Sequence, residues 1–314
     1  MRCSVSRRAI HELSGIRDFV FRLVTQIRFR KLAVFGVGLI GGSFAAALKQ
    51  AGCVERVVGV GRGRANLARA LELGVIDEIA ADARAALDGA DLVLIAVPVR
   101  QAEQVFAAIA PHLESTAVLT DGGSTKRDVV AAARDSLGVK LLQFVPAHPV
   151  AGAELSGVDA ANPKLFRERT VVLTPMAETG DHARTRVDAA WRACGARTVE
   201  MSAERHDRVF AAVSHLPHAL AFTLVEMIAA RDDAAELFSF TGAGFRDFTR
   251  IAGSSPEMWR DICLANGDAL LAEIRAFQDR LATLAAEIEA GDGADIELTF
   301  ELARAARSRW LRGG

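Results

Sequence analysis

Short apolar runs alternate with amphipathic stretches over the first half of the chain. Five of these runs are rich in valine, leucine and isoleucine and end near glycine or proline, as buried strands do. They are LAVFG at 32–36, RVVGVG at 56–61, ADLVLIAVP at 90–98, AVLTDGGSTK at 117–126 and VKLLQFVPAHP at 139–149. Between them, apolar residues recur every three or four positions, as on one face of a helix. The alternation predicts a parallel sheet with helices on both faces.

The pattern changes near Ser202. Before it, RTVVLTP at 169–175 and ARTVEM at 196–201 are predicted to add strands at the far edge of the sheet. After it, only helical spacing is evident. The predicted fold class is α/β: a Rossmann-type parallel sheet domain over residues 31–201, followed by an all-helical domain over 202–314. Apolar helix faces this extensive predict an intertwined homodimer, with a self-contained helical cap as the alternative.

Composition narrows the class of partner. The 314 residues include 38 basic and 39 acidic ones, a near-zero balance that argues against a nucleic-acid binder. Four cysteines lie far apart without CxxC spacing, so we expect a reducing cytoplasm rather than a disulfide framework or a zinc site. No apolar run reaches the roughly 18 residues of a membrane span. We therefore expect a cytoplasmic protein that binds a small molecule and neither nucleic acid nor membrane.

The N-terminus has a different composition. Residues 1–31 carry eight basic residues against two acidic ones and are interrupted by serine and glycine. Charges stand where a secretory signal would need an apolar segment. We expect residues 1–30 to be a basic, disordered extension, either dispensable or produced by an upstream start. An arginine-rich transit peptide is the alternative.

A glycine motif follows the first predicted strand. Gly36, Gly38 and Gly41 form GxGxxG between that strand and an alanine-rich helix, where glycines allow a tight turn, close approach to a pyrophosphate and helix packing. The helix N-terminus offers free N–H groups to phosphate. The motif predicts a dinucleotide site, with contacts from these glycines and from Leu39 and Ile40.

The end of the second strand lacks the acidic residue that usually binds the ribose hydroxyls of NAD. Gly61 stands there, followed by Arg62 and Arg64, whose guanidinium groups could hold a 2′-phosphate. NADP is therefore at least as plausible a cofactor as NAD. The alternative is that both arginines are solvated loop residues. Val97 and Pro98, after the third strand, complete the predicted cofactor contacts.

Loops after the third, fourth and fifth strands should meet in one crevice, because the carboxyl ends of parallel strands share an edge of the sheet. They are VPVR, DGGSTK and AHPVAGAE. Pro146 and Pro149 bracket His148 and predict that it sits in a rigid, non-helical loop. Such a fixed imidazole, with an unperturbed pKa near 6.5, suits a catalytic base. The alternative is a histidine that caps a strand end.

Five motifs in this order resemble the prephenate dehydrogenases, including the arogenate and broad cyclohexadienyl members. They are GVGLIGGS, DGGSTK, HPVAGAE, SHLPHALA and GFRDFTRIAGSSPEMWRDI, and the resemblance covers residues 31 to about 285. It implies a nucleotide-binding domain followed by a helical dimerisation domain. It also implies NAD(P)-dependent oxidative decarboxylation of prephenate to 4-hydroxyphenylpyruvate, or of arogenate to tyrosine, in tyrosine biosynthesis. The motifs do not separate these two substrates, and they leave feedback inhibition by tyrosine open.

The resemblance also implies roles for individual residues. His148 would accept the proton of the substrate hydroxyl, and Ser124 would bond that hydroxyl or orient the imidazole. Ser124 could instead, or in addition, cap the helix predicted to start at Lys126. Arg250 would bind the side-chain carboxylate of the substrate, for which a planar guanidinium is suited.

Further residues are implied near the substrate. His215 resembles a second pocket histidine, and Glu154 and Asp247 match acidic positions near the site entrance, with ordinary solvated carboxylates as the alternative. His215 and His218 have helical spacing for a metal, but no third ligand is visible, and Pro217 suggests that they flank a helix start. We predict no metal.

Two other functions fit parts of this sequence. A β-hydroxyacid dehydrogenase would share the glycine turn and the helical domain, but it normally uses a lysine of the helical domain, and lysine is absent from residue 165 onward. A nucleotide sensor without catalytic activity would not need His148, Ser124 and Arg250 together.

Overall fold

A six-stranded parallel sheet forms the centre of the computed structural model, which describes residues 27–152 and 156–313. Its strand order is β3-β2-β1-β4-β5-β6, the doubly wound order of a dinucleotide-binding fold. Its strands are β1 (Phe29–Phe35), β2 (Val54–Val60), β3 (Glu78–Ile79), β4 (Leu92–Ile95), β5 (Val118–Asp121) and β6 (Phe144–Val145). The predicted parallel sheet is confirmed, and the short edge strand β3 is an addition that the sequence pattern did not reveal.

Helices cover both faces of the sheet because its strands are apolar on both sides. In β1, Leu32 and Val34 face one core and Ala33 and Phe35 face the other, in the two-residue alternation of a strand. The helices of this part are α1 (Leu39–Gln50), α2 (Arg64–Glu72), α3 (Ala83–Leu87), α4 (Ala102–Ile109), α5 (Arg127–Leu137) and α6 (Asp181–Ala193). The fully buried Trp191 packs on the Phe44 ring, with centroids 4.5 Å apart, in the first core.

A second, three-stranded sheet replaces the predicted far edge. It consists of β7 (Ala147–Pro149), β8 (Thr170–Leu173) and β9 (Arg197–Glu200), with β7 antiparallel to β8 and β8 parallel to β9. The placement of the last two runs in the main sheet was therefore wrong. The reason lies at Pro146, which has no N–H to donate and separates β6 from β7.

The predicted fifth strand is divided for the same reason. Gly138–Gln143 forms a short 3-10 helix, and only Phe144–Val145 pairs with β5. His148 pairs with Val172 in the second sheet, so it lies on a strand rather than in the predicted loop. The backbone N–H of Ala147 donates to the Asp121 carboxylate at the end of β5, so His148 lies at the carboxyl edge of the main sheet.

The remainder of the chain is helical, as predicted. Ser202 begins it by accepting a hydrogen bond at Oγ from the backbone N–H of Arg205, 3.2 Å away. A short π-helical turn, Ala211–His215, joins the first two of its helices. These helices are α7 (Ala203–Phe210), α8 (Leu216–Ala229), α9 (Ala234–Ser239), α10 (Ala243–Thr249), α11 (Pro256–Ala265), α12 (Gly267–Ala290) and α13 (Gly293–Gly313).

The predicted N-terminal extension lies mostly outside the described residues, which begin at Ile27. Ile27 packs against the core, and β1 begins at Phe29. The backbone N–H groups of Arg30 and Lys31 donate to the Asp91 carboxylate, both at 3.1 Å. The last residues assigned to the extension thus belong to the first strand, so the predicted boundary at residue 30 is too late.

One helical run among the described residues, Ala203–Ala229, is long and apolar enough to cross a membrane by length and composition alone. The expectation from apolar run length did not identify it, because it contains polar residues. Only 22% of its most apolar window is buried within the chain. Its first turns nevertheless hold His206 and Asp207, which hydrogen-bond to residues of the sheet domain.

Candidate active site

The turn between β1 and α1 confirms the predicted strand-turn-helix context of the glycine motif. Gly36 has φ +97°, and a Cβ there would overlap the carbonyl oxygen of Ala96. A Cβ on Gly41 would overlap the carbonyl oxygen of Gly36, so both positions require glycine for packing. A Cβ on Gly38 would meet nothing within 4 Å. Gly38, the middle glycine, therefore leaves open space in which a ligand can approach the protein backbone.

A cavity of about 730 Å³ opens beside this turn, at the carboxyl ends of the paired strands β1 and β4. Its lining includes the predicted contacts Gly36, Gly38, Arg62, Val97 and Pro98. The lining residues include no aspartate or glutamate. The cavity is of the size and position expected of a dinucleotide site.

The other predicted cofactor contacts lie near this cavity without lining it. Leu39 and Ile40 form the first turn of α1, and Arg64 is an exposed residue at the start of α2. Asn66 lines the cavity and was not predicted. Its side chain donates to the carbonyl oxygen of Val37 at 2.6 Å and accepts from the N–H of Val158 at 3.0 Å, which fixes that wall.

His148 begins a chain of buried polar side chains. Its Nδ1 lies 2.8 Å from His206 Nε2, and His206 Nδ1 lies 2.7 Å from Asp207 Oδ1. The Phe210 ring packs on both imidazoles, with centroid distances of 4.6 Å to His148 and 4.4 Å to His206. His148 is 9% exposed, whereas His206 and Asp207 are fully buried. The helical domain thus supplies the groups that hold the candidate base of the sheet domain.

Asp207 also caps a helix of the other domain. Its carboxylate accepts hydrogen bonds from the backbone N–H groups of Lys126 and Arg127, both at 2.9 Å, at the N-terminus of α5. The Arg127 guanidinium donates to the same carboxylate at 3.2 Å and reaches Asp268 beyond it. The suggestion that Ser124 caps this helix is therefore wrong. Ser124 lies half-buried in the loop between β5 and α5.

A buried ion pair stabilises this loop. Lys126 Nζ lies 2.5 Å from Asp121 Oδ2, and both side chains are at most 3% exposed. Asp121 also accepts from the N–H groups of Gly123 at 2.8 Å and Ala147 at 2.9 Å. Asp121 therefore ties the end of β5 to the residue that precedes His148. The motif DGGSTK contains both ions, but their spacing in the sequence does not mark them as a pair.

Burial and neighbouring groups set the charge of these side chains. Burial lowers the pKa of His148 well below its usual value, and repulsion from His206, Lys126 and His215 acts in the same direction. Burial also lowers the pKa of His206, although its bond to Asp207 opposes this effect. Burial by itself would raise the pKa of Asp207, but hydrogen bonds from His206 and the two capping N–H groups outweigh it and lower the pKa. Two neutral imidazoles and one carboxylate result at neutral pH.

The predicted substrate contacts differ in how deeply they are buried. His215 is 1% exposed and lies 3.2 Å from the Asn266 side chain, so it faces the interior. His218 is half-buried and stacks on the Trp259 ring, with centroids 3.7 Å apart. Burial and the charge of Arg250 lower the pKa of His218, although its hydrogen bond to Ser214 opposes them, and the segment Arg250–Gly253 packs on the helix that carries His218. His218 is thus better placed than His215 to meet a bound molecule.

Of the two acidic candidates, only Asp247 lies among the described residues. Asp247 is an exposed residue of α10, and Glu154 lies outside the described residues. Pro217 occupies the first turn of α8, as the suggestion of a helix start required. Within residues 27–152 and 156–313, no group of three metal-ligating side chains comes together.

His206 and Asp207 are the main residues that the sequence analysis missed. A signal for them exists in the helical spacing, because Ala203, His206, Asp207 and Phe210 follow the i, i+3, i+4, i+7 pattern of one helix face. Two polar residues on the apolar face of a helix need partners when buried. That pattern could have marked them as site residues.

Comparisons with known proteins agree with this geometry. Residues 44–200 match the family described as prephenate dehydrogenase, nucleotide-binding domain, and residues 202–302 match prephenate dehydrogenase, dimerization domain. A cyclohexadienyl dehydrogenase of Zymomonas mobilis is 38% identical over 284 residues, which cover 89% of this chain and 95% of the relative. A prephenate dehydrogenase of Bacillus subtilis is 37% identical over 271 residues, covering 86% of this chain and 73% of the relative.

A solved structure is similar over almost the whole chain. The prephenate dehydrogenase of A. aeolicus, in complex with hydroxyphenyl propionate and NAD+, superposes with a TM-score of 0.85 and 34% sequence identity. The match covers 90% of this chain and 99% of that one. The fold order, the glycine turn and the matches to both domains lead to one conclusion: the chain is an enzyme that belongs to the prephenate dehydrogenase family.

Proposed function

We propose that the protein catalyses the NAD(P)-dependent oxidative decarboxylation of a cyclohexadienyl acid, prephenate or arogenate, in tyrosine biosynthesis. The observation that carries the proposal is a buried imidazole, His148, held by His206 close to a dinucleotide-type cavity. Gly122 connects the two features, because a Cβ there would touch Ile40 of the glycine turn on one side and Pro149, next to His148, on the other. Relatives named cyclohexadienyl and prephenate dehydrogenase support the substrate class.

The reaction assigns a task to each group. The substrate ring carbon loses a hydride, its hydroxyl loses a proton, and the departing carbon dioxide leaves its bonding electrons in the ring, which becomes aromatic. The residues that line the cavity at the glycine turn would hold a nicotinamide dinucleotide, which would supply the hydride acceptor. His148 accepts the proton through Nε2, since its Nδ1 is engaged with His206. Ser124 bonds the same hydroxyl, and the Arg250 guanidinium holds the side-chain carboxylate.

The experiment is an assay of reduced cofactor at 340 nm with prephenate and arogenate, each with NAD and NADP. We expect turnover with at least one pair, and a decrease in kcat of about 10²- to 10⁴-fold in His148→Asn, the range typical of lost general-base catalysis. Dinucleotide binding should survive, because His148 does not line the cofactor cavity. Tight dinucleotide binding without turnover of any substrate and cofactor pair would instead favour a nucleotide sensor without catalytic activity.

We further propose that Arg62 allows the enzyme to use NADP. Arg62 lines the cavity at the end of β2, and the lining contains no carboxylate that would repel a 2′-phosphate. Arg62→Ala should lower kcat/KM for NADP by about 10-fold or more, since a charged hydrogen bond contributes roughly 1.5–3 kcal/mol, and should leave NAD unchanged. Arg64→Ala is the matched control, because Arg64 is exposed outside the lining. Equal effects on both cofactors would contradict the proposal.

We also propose that a second copy of the chain covers the apolar surface of the helical domain. Five apolar residues on α12 follow the alternating spacing of three and four that two packed helices share. They form the α12 stripe: Ile274, Phe277, Leu281, Leu284 and Ile288. Leu281 is 50% exposed and Ile288 62% exposed within one chain. Together with the match to a dimerization domain, this exposure supports a homodimer.

A further inference from the structure

We propose that His206, fixed by Asp207, is a positioning residue that also takes up the proton released during the reaction. The inference rests on the proposed role of His148 as the base. It adds that His148 transmits the proton through its ring to a second imidazole, on the helical domain, rather than storing it.

The distances define a continuous path. His148 Nδ1 to His206 Nε2 measures 2.8 Å, and His206 Nδ1 to Asp207 Oδ1 measures 2.7 Å, both within hydrogen-bond range. Asp207 in turn accepts from two backbone N–H groups at the start of α5. The path therefore ends on a carboxylate that is fixed by a helix N-terminus and is not free to rotate.

The chemistry of the carboxylate determines which nitrogens carry protons. An ionised Asp207 only accepts, so His206 Nδ1 carries a proton and His206 Nε2 has a free electron pair. His206 Nε2 must then accept from His148 Nδ1–H. This leaves the electron pair of His148 on Nε2, where a base needs it. The opposite tautomer of His206 would direct an electron pair at the carboxylate oxygen.

The proton transfer balances without another reactant. The substrate hydroxyl proton forms a bond with His148 Nε2 while the Nδ1–H bond of His148 breaks, and that second proton bonds to His206 Nε2. His148 is neutral again and His206 is an imidazolium in contact with the Asp207 carboxylate. No electrons are exchanged in these steps, and the return path restores the starting state when the proton leaves to solvent.

The surrounding charges favour this final location. The groups that face the two imidazoles are the Phe210 ring, the Lys126 ammonium paired with Asp121, and the neutral His215. Arg127, on the far side of Asp207, is shared with Asp268. A protonated His148 would have no carboxylate in contact with it. A protonated His206 would form an ion pair with Asp207, whose Oδ1 lies 2.7 Å from His206 Nδ1. Burial lowers the pKa of both rings, but only at His206 does a hydrogen-bonded carboxylate oppose this effect.

The decisive variant is His206→Gln. A glutamine amide can accept from His148 Nδ1–H and donate to Asp207, so it keeps the orientation of His148, but it cannot hold a proton. We expect kcat to fall by about 10- to 100-fold, at the lower end of general acid–base effects, with KM for substrate and cofactor little changed. The acidic limb of the kcat/KM profile should move to lower pH, because the remaining base, His148, titrates alone. Wild-type kcat and an unmoved profile would overturn the inference.

A measurement on the wild-type enzyme tests the proton relay independently of any folding defect in His206→Gln. Single-turnover rates in mixtures of H2O and D2O should depend on the deuterium fraction in a curved manner, because two protons move in the same step. A linear dependence would overturn the relay. The proposed function fails separately: it is contradicted if His148→Asn retains wild-type turnover, whatever His206→Gln does.

Discussion

At the scale of single residues, His215 and His218 lie one helical turn apart but have different environments and different roles. Asn266 Nδ2 donates to the carbonyl oxygen of Asp207 and lies 3.2 Å from His215 Nδ1. Because an amide nitrogen donates, His215 Nδ1 accepts, and the imidazole is neutral. Burial lowers the pKa of His215 to about 4. His215 therefore supports the folded chain, whereas the half-buried His218 borders the space next to Arg250.

The neutral state of His215 makes stability depend on pH. The unfolded chain binds a proton at His215 below about pH 6.5, whereas the folded chain resists it until about pH 4, so stability falls as pH falls through this interval. His215 alone should account for a loss of about 2 kcal/mol between pH 7 and pH 5. Denaturant titrations should show a flatter dependence in His215→Gln. The exposed His182→Gln is the control, and identical slopes in all three proteins would refute the assignment.

The sequence identifies site residues that a local pattern marks. It does not identify contacts between residues that are far apart in the chain. His148 was identifiable because two prolines bracket it. The buried helix face of Ala203–Phe210 marks Asp207 as a buried polar residue, but its partners Lys126 and Arg127, about 80 residues away in sequence, were not identifiable. Burial rather than spacing separates His215 from His218, so the sequence pattern does not distinguish their environments.

At the scale of elements, the turn from β1 to α1 divides its glycines into two kinds. Gly36 and Gly41 are required by the protein itself, since a side chain at either would overlap backbone atoms. Gly38 faces open space, so its lack of a side chain serves a ligand. The turn therefore combines a requirement of folding with a requirement of binding in six residues of sequence.

This division predicts different outcomes for two substitutions. Gly38→Ala should leave the melting temperature nearly unchanged and weaken dinucleotide binding by about tenfold or more, because the methyl group occupies the approach to the pyrophosphate. Gly36→Ala should destabilise the fold by roughly 1–3 kcal/mol, since it adds strain at a positive φ. Thermal unfolding and calorimetric titration with NAD and NADP measure both. A destabilised Gly38→Ala that binds normally would reverse the assignment.

The fold was predictable where each element follows its own periodicity. The five main strands, the glycine turn and the helical second half follow from two- and three-to-four-residue spacing. The second sheet did not, because its strands have the same apolar pattern as sheet-edge strands, and Pro146 separates β6 from β7 without altering hydrophobicity. The pairing of strands is a long-range property that periodicity does not encode.

At the scale of the whole molecule, polar groups join the two domains. Asp207 bonds Lys126 and Arg127, and Arg127 bonds Asp268 and Asn266. The candidate base thus depends on correct docking of the helical domain. The α12 stripe leaves much of its apolar area to a partner, so we expect the functional molecule to contain two copies of the chain.

The proposed dimer predicts a specific response to charge. Leu281→Glu places a carboxylate in the α12 stripe at a position 50% exposed in one chain, so it should cost the monomer little and disrupt the homodimer. Light scattering after size exclusion should give twice the chain mass for the wild type and the chain mass for the variant. Val139→Glu, at an 86% exposed site of the sheet domain, should remain dimeric. A wild-type monomer at micromolar concentration would exclude the proposal.

The stack of His218 on Trp259 makes the fluorescence of this tryptophan sensitive to its surroundings. The chain has three tryptophans and no tyrosine, so indole dominates its ultraviolet emission. Trp191 is enclosed in the core and Trp310 is 71% exposed, which leaves Trp259 as the fluorophore beside His218 and Arg250. An excited indole is quenched by a protonated imidazole in contact with it. The emission of Trp259 therefore reports the charge of His218 and the arrival of an anionic ligand without any added label.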